Sequence, residues 1–167
     1  TIDIVESMGV QLHRQKSRGL GHGLHEAFEV ASGDVLCVVD ADGSHDWREI
    51  PRMRAMIADG HDYVLASRYV GPFRFRGPHR WPWSTSEDDS WLHEWGNLGF
   101  VVLCRALHGL PLSDVMMGFQ MVRRHALEAI GLVEQDQCCD AELKIKLHRA
   151  GYRLGEISAI EPKRIGG

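Results

Sequence analysis

The chain has 167 residues, 44% hydrophobic and 25% charged, with a formal net charge of −4. This length suits a single domain with a real core, and the balance is that of an ordinary soluble globular protein with no nucleic-acid partner expected. Its four cysteines include no C-x-x-C pair, which argues against a disulfide or zinc framework and for a reduced, cytoplasmic setting.

Thr1 to Gly9 reads as the tail of a helix. Gly19, Gly21 and Gly23 then open a helical stretch over Leu24–Ala31. A glycine-rich loop leading into a helix cradles phosphate on its backbone N–H groups, although G-x-G alone lacks the full dinucleotide pattern. After the Gly33-Asp34 turn comes a strand, Asp34–Val39, whose unbroken apolar run is that of a parallel-sheet strand buried on both faces. Asp40-Ala41-Asp42 follows at its carboxyl end, where open α/β sheets bind ligands. Hard carboxylate oxygens suit Mg²⁺ or Mn²⁺, which keep several waters and bind substrate phosphates beside one or two protein ligands. Aspartates in loops also cap helices and close turns, so the triplet needs its context.

Trp47–Ala58 has helical spacing, with Ile50, Met53, Met56 and Ile57 apolar, and Asp62–Ala66 is a second strand that ends at Ser67-Arg68-Tyr69. Arg68 thus emerges at the same sheet edge as the aspartates, where a guanidinium fork suits a phosphate; a surface ion pair is the plainer alternative. Arg68, Arg74, Arg76, His79 and Arg80 form a basic segment with no acid before Glu87, a focus for an anionic substrate or lipid headgroup. Trp81, Trp83, Trp91 and Trp95 come next. They fit a surface at a membrane interface, a satellite core under a long loop, or a lid. Asn97–Leu107 reads as a helix too short to span a bilayer, so any membrane contact is peripheral. A further helix covers Ala141–Ala150, which Asp140 is placed to cap. The histidines lack zinc-ligand spacing.

Several stretches now fall in one order: Arg18-Gly19-Leu20-Gly21, Gly33-Asp34 leading to Asp40-Ala41-Asp42, Ser67-Arg68-Tyr69, Gly96-Asn97, Asp114 through Gly118-Phe119-Gln120 to Arg123-Arg124, Asp140-Ala141-Glu142-Leu143 with Ala150-Gly151-Tyr152-Arg153, and Arg164-Ile165-Gly166-Gly167. From about Arg14 onward the chain resembles the GT-A glycosyltransferases of family 2, in particular the polyprenyl-phosphate, dolichol-phosphate mannose synthase-like branch. The resemblance implies an α/β, Rossmann-like nucleotide-diphospho-sugar transferase domain over residues 1–167, with a mostly parallel twisted sheet flanked by helices. It also implies upstream strands and a downstream Ser-Lys pair beyond the present residues, so the chain is expected to be a single catalytic domain truncated at both ends.

The expected activity is inverting, metal-dependent transfer of a sugar from GDP-mannose or a UDP-sugar to polyprenyl phosphate, at the inner face of a membrane. By the same resemblance Arg18, Gly19, Gly21, Asp40 and Asp42 hold the donor, and Asp40, Asp42 and Ser44 hold Mg²⁺ or Mn²⁺. Ser44 stands where the branch often has Gln. Arg68, Asn97, Gln120 and Arg164 are expected on the acceptor side, and Asp42, Arg68 and Asp114 in the catalytic set. A phosphate acceptor is already anionic and needs positioning, whereas a hydroxyl acceptor, as in polysaccharide or glycolipid synthesis, needs a base such as Asp114, Asp140 or Glu142. Two rivals stand beside this reading. Val39-Asp40-Ala41-Asp42-Gly43-Ser44 also resembles the nucleophile loop of haloacid-dehalogenase-like phosphatases, and a transferase-like module without catalysis would keep the same fold.

Overall fold

The computed structural model describes residues 2–69, 86–87, 91–136 and 138–165. Its elements run α1 (Ile2–Ser7), α2 (Leu20–Val30), β1 (Val35–Val38), a 3-10 turn (Trp47–Glu49) leading into α3 (Ile50–Ala58), β2 (Tyr63–Ser67), α4 (Trp91–His108), β3 (Gln120–Arg123), α5 (Arg124–Ile130), α6 (Cys139–Arg149) and β4 (Leu154–Ser158). The apolar spacing thus found β1, β2 and the helices α2, α3, α4 and α6. It did not single out β3, α5 or β4. Gln-Met-Val-Arg and Leu-Gly-Glu-Ile-Ser are short and lack the β-branched, alternating pattern that marks a strand.

The strands form one mixed sheet in the order β1-β3-β2-β4. β2 pairs in parallel with β4, while β3 runs antiparallel to both β1 and β2. Three of the four strands therefore share one direction, with β3 inserted against them. Among the described residues β1 stands at one end of the sheet order, and its two faces differ, which corrects its expected burial on both: Leu36 is buried, whereas Cys37 and Val39 are exposed. Beside it, Leu24, Ala27, Phe28 and Ala31 of the α2 segment face Val35 to Val39 across an apolar groove of about 460 Å³. β2 is the strand buried along its whole length, since it has a neighbour on either side and α3 packed over it.

Apolar side chains from every layer meet around β2. Met53 and Ile57 of α3, Tyr63 to Ala66 of β2, Val101 and Cys104 of α4, and Leu143 and Leu147 of α6 are all buried in one cluster. At roughly 25 cal/mol per Å² of apolar surface removed from water, this burial is the main force holding helices to sheet. Arginines fix the strand ends: Arg124 donates to the carbonyls of Ala31 and Gly33 before β1, and Arg123 to those of Ile57 and His61 before β2. The Arg123-Arg124 pair of the sequence motif thus serves the framework.

This topology decides what meets at the sheet's edge. The carboxyl ends of β1, β2 and β4 lead to Asp40, Arg68 and Glu161, and the amino end of the reversed β3 is preceded by Asp114 to Phe119. All four segments open on one side of the sheet.

Inside, the Tyr63 hydroxyl donates to Gln120 Oε1 at 2.7 Å, and the Gln120 amide donates to Asp140 Oδ1, tying β2 and β3 to α6. Tyr63 and Gln120 are fully buried. Tyr63→Phe strands the Gln120 acceptor and should cost about 1–3 kcal/mol, read as a lower urea midpoint at unchanged slope. A midpoint equal to that of the unaltered chain would show that the link contributes nothing.

Candidate active site

The loop after β1 is folded upon its own side chains. Gly43 takes φ 87°, a left-handed conformation that a side chain resists, and the turn lets Asp42 Oδ1 accept from both the backbone N–H and the hydroxyl of Ser44, at 2.9 and 2.6 Å. Those hydrogen bonds, the side-chain one foremost, hold the Asp42 carboxyl below its ordinary range, with Arg164 adding to the effect. Arg164 Nε lies 3.4 Å from Asp42 Oδ2, and the Ile165 N–H donates to the Asp42 carbonyl at 2.8 Å. The chain's last described residues therefore lie across this loop, with Ile165 against Gly43. Asp40 instead points outward, its side chain 58% exposed.

The two carboxylates of this loop offer hard oxygens that suit Mg²⁺ or Mn²⁺, ions that complete their shell with water and substrate phosphate, while the Ser44 hydroxyl is buried and donates to Asp42. No group of three or more His, Cys, Asp or Glu placed to hold a metal ion is found among the described residues. Asp40 and Asp42 are the residues that fit a cation shared with a diphosphate.

Next to it lies a buried ionic cluster. Arg68 Nε and Nη2 donate to Asp114 Oδ2 and Oδ1 at 2.7 and 2.9 Å, and Nη1 donates to Glu161 Oε2 at 3.3 Å. Asn97 Nδ2 adds hydrogen bonds to Asp114 Oδ1 and to the Tyr69 hydroxyl. All three charged groups are buried. Burial alone would raise the Asp114 carboxyl, but the hydrogen bonds and charge of Arg68 outweigh it and hold it below its ordinary range; reciprocally, Asp114 overcomes burial to raise Arg68. Asp114 thus stays an anion with both oxygens occupied. Around the pair, Ser67 and Ser113 share a 2.7 Å hydroxyl contact, and Ser113 donates to Glu156.

The remaining sequence-derived residues divide. Asp42, Ser44 and Arg164 come together, as do Arg68, Asn97 and Asp114, while Asp40 lies on the same loop as Asp42 but is turned outward. Arg164 lies on the aspartate loop, not beside Arg68. Gly21 is buried where a Cβ would meet the Gln135 backbone at 2.3 Å, and the His22 N–H donates to the Gln135 carbonyl; Gly19 (φ 112°) and exposed Arg18 precede it. Gln120 is enclosed between Tyr63 and Asp140. Asp140 lies inside α6, whose N-cap residue is Cys138, so it does not cap the helix. Glu142 accepts from the backbone of Val133 and Glu134 and pairs with Lys146. Arg74, Arg76, His79, Arg80, Trp81 and Trp83 lie outside the described residues.

Three residues at this edge were not legible as site residues. Glu161 completes the Arg68 cluster. Lys144, fully buried, donates to the carbonyls of Val115 and Met117 and so pins the irregular segment that carries Asp114. His45, one residue beyond Ser44, is buried and stacked on Phe119 with ring centroids 4.9 Å apart; only its place in the aspartate loop marked it.

The family model for glycosyl transferase family 2 matches residues 1–131. A glycosyltransferase of Mycobacterium tuberculosis described as uncharacterized is 28% identical over the whole of this chain and 70% of its own length. The polyprenol monophosphomannose synthase of Mycolicibacterium smegmatis is 30% identical over 87% of this chain and 53% of its own. For the undecaprenyl-phosphate mannosyltransferase of Micrococcus luteus the figures are 32%, 87% and 58%, so the chain spans little more than half of these two relatives. Among solved structures, glucosyl-3-phosphoglycerate synthase of Mycobacterium tuberculosis, in complex with Mn²⁺, UDP and phosphoglyceric acid, superposes with a TM-score of 0.69 at 13% identity, over 97% of this chain and 54% of that one. The chain belongs to glycosyl transferase family 2, with the GT-A fold, and is a glycosyltransferase. The phosphatase alternative falls with that membership.

Removing one partner from a buried ion pair leaves an uncompensated charge. Asp114→Asn should therefore cost about 3–5 kcal/mol of stability in urea titrations. The sign with pH follows from the lowered carboxyl: Asp114 contributes stability above the unfolded value near 3.9, and this is lost as pH falls through the lower folded value. The variant should accordingly lose less stability than the unaltered chain on acidification below about pH 4. Parallel acid limbs for the two proteins would refute this account.

Proposed function

We propose that this glycosyltransferase moves a sugar, with inversion, from a nucleoside-diphosphate sugar to a polyprenyl phosphate. The observation that carries the acceptor assignment is the state of Asp114. It is an anion with its oxygens occupied by Arg68 and Asn97, which suits it poorly for taking a proton from a hydroxyl. An acceptor phosphate is already anionic and needs no such base. The named polyprenol and undecaprenyl relatives support the same acceptor class, and their mannosyl transfer favours a mannose donor.

In the reaction, a phosphate oxygen of the acceptor attacks the anomeric carbon as the bond from that carbon to the diphosphate oxygen breaks, the electron pair leaving with the nucleoside diphosphate. Asp40 and Asp42 would hold a divalent cation whose charge, when bound, stabilises the departing diphosphate. Ser44 keeps Asp42 turned and ionised. Arg164, beside Asp42 and 57% exposed, is within reach of the same diphosphate. Gly19 and Gly21 set the start of α2 against the 135–136 backbone, which shapes the donor side. The Arg68 cluster holds the Asp114 segment rigid as the acceptor wall.

A lipid acceptor implies contact with a bilayer surface. Supporting this is α4, whose outward residues Leu92, Trp95, Leu98, Val102, Leu103 and Leu107 are all exposed; no helix among the described residues is long and apolar enough to cross a membrane. An exposed apolar helix face of this extent marks an interaction site.

Two outcomes test the reading in the full-length protein. Asp42→Asn keeps size but removes charge, and should abolish Mn²⁺-dependent binding of the nucleotide sugar and lower transfer to polyprenyl phosphate by roughly a hundredfold or more; near-normal turnover at saturating metal would sink the assignment. Leu103→Glu should lower co-sedimentation with vesicles of mixed anionic and zwitterionic phospholipid while leaving nucleotide binding intact. Equal vesicle binding by both proteins would remove α4 from the membrane contact.

A further inference from the structure

His45 occupies a position that a merely space-filling histidine would not need. Its Nδ1 accepts from the Asp40 N–H at 2.8 Å, which places the proton of the neutral ring on Nε2. Nε2 in turn lies 3.8 Å from Asp40 Oδ2, so both nitrogens face the same residue, one its main chain and the other its carboxylate. The ring is held from behind by Phe119, stacked with an interplanar angle of 13°. Phe119 ends the segment that Lys144 fastens and that begins at Asp114. The imidazole also stands in the field of Asp42, Glu161 and Arg68. His45 therefore joins the aspartate loop to the buried cluster.

We propose that His45 is a positioning residue for the diphosphate–cation site, fixing the main chain of Asp40 through Nδ1 and so the place from which its carboxylate projects. The physical need is clear from the loop itself. Asp42 is held by Ser44 and by the Ile165 N–H, but Asp40 is largely exposed and its other oxygen has no comparable anchor among the described contacts. A free carboxylate samples several rotamers, and each one lost on binding subtracts from affinity. Fixing the main chain that carries it, through an acceptor nitrogen of a neutral ring, narrows that set without adding a positive charge that would repel a cation. Outer groups of this kind orient metal-binding side chains and are worth 10- to 100-fold in affinity. The inference rests on reading Asp40 and Asp42 as the cation and diphosphate site.

The test separates the ring's stacking from its nitrogens. His45→Phe keeps the stack on Phe119 and deletes both nitrogens, whereas His45→Asn keeps an acceptor near the place of Nδ1 and loses the stack. Mn²⁺ affinity in the presence of UDP or GDP is measured by calorimetry on the full-length protein, with metal-free nucleotide binding, metal-free melting temperature and exchange of the Asp40 amide hydrogen as controls. His45→Phe should weaken Mn²⁺ by about tenfold or more, speed exchange at Asp40, and leave metal-free nucleotide binding unchanged; His45→Asn should recover slow exchange and part of the affinity. Unchanged Mn²⁺ affinity in His45→Phe, or losses in the two variants that simply track their melting temperatures, would overturn the assignment while leaving the proposed function standing. Absence of Mn²⁺-dependent nucleotide binding in the unaltered protein would instead overturn both.

Discussion

A guanidinium and two carboxylates sealed from water are costly to bury, and the arrangement of Arg68, Asp114 and Glu161 is one of the few that tolerates the cost. Each ion gives up several kcal/mol of hydration, which only close, well-directed partners return. Here the return comes from a two-pronged contact of Arg68 with Asp114 and a third bond to Glu161. Such a cluster adds little net stability compared with an apolar core of the same volume, but it is unforgiving of displacement. Because its members come from the ends of β2 and β4 and from the segment before β3, it ties the side chains of three chain segments together just beyond the strand ladders.

Two further contacts extend that order to the aspartate loop. Lys144 reaches from α6 to the carbonyls of Val115 and Met117, which satisfies buried acceptors that no strand or helix supplies. Burial lowers the Lys144 amine from its ordinary value, with Asp140 and Asp114 opposing the shift. The amine thus trades solvation for two directed hydrogen bonds in an irregular stretch. From that stretch Phe119 passes the constraint to His45 by stacking, and His45 to Asp40 by a hydrogen bond. The exposed carboxylates are consequently mounted on a rigid base, as a site that must meet a fixed diphosphate geometry requires.

The acids at this edge divide by solvent access, and the division assigns their chemistry. Asp40 and Asp42 reach solvent and retain oxygen lone pairs that no charged partner in the buried cluster occupies. Asp114 and Glu161 are committed to Arg68, and Glu156, raised by burial, accepts from Ser113. The same residue type is therefore left open to solvent in one place and braces backbone in another, a difference set by which strand end each follows and how many donors surround it.

That division also explains how far the sequence could be read. Apolar spacing located the long helices and the two strands with continuous apolar runs, and the Asp40-Ala41-Asp42 triplet stood at a strand end, so the place of the candidate site's exposed half was legible locally, while its proposed role came from the ordered motifs around it. β1 misled because an apolar run does not reveal whether helices cover both faces of a strand, and among the described residues only the Leu36 side is sealed; the reversed β3 was too short and polar to announce itself. The buried half depended on pairings between residues distant in the chain: Arg68 with Asp114 and Glu161, Phe119 with His45, Lys144 with two carbonyls. A lone Arg after a strand looks the same whether it will grip a phosphate or be enclosed by two carboxylates. What separates those outcomes is the topology, which brings the end of β4 beside the end of β2 and thereby delivers Glu161 to an arginine already held by Asp114.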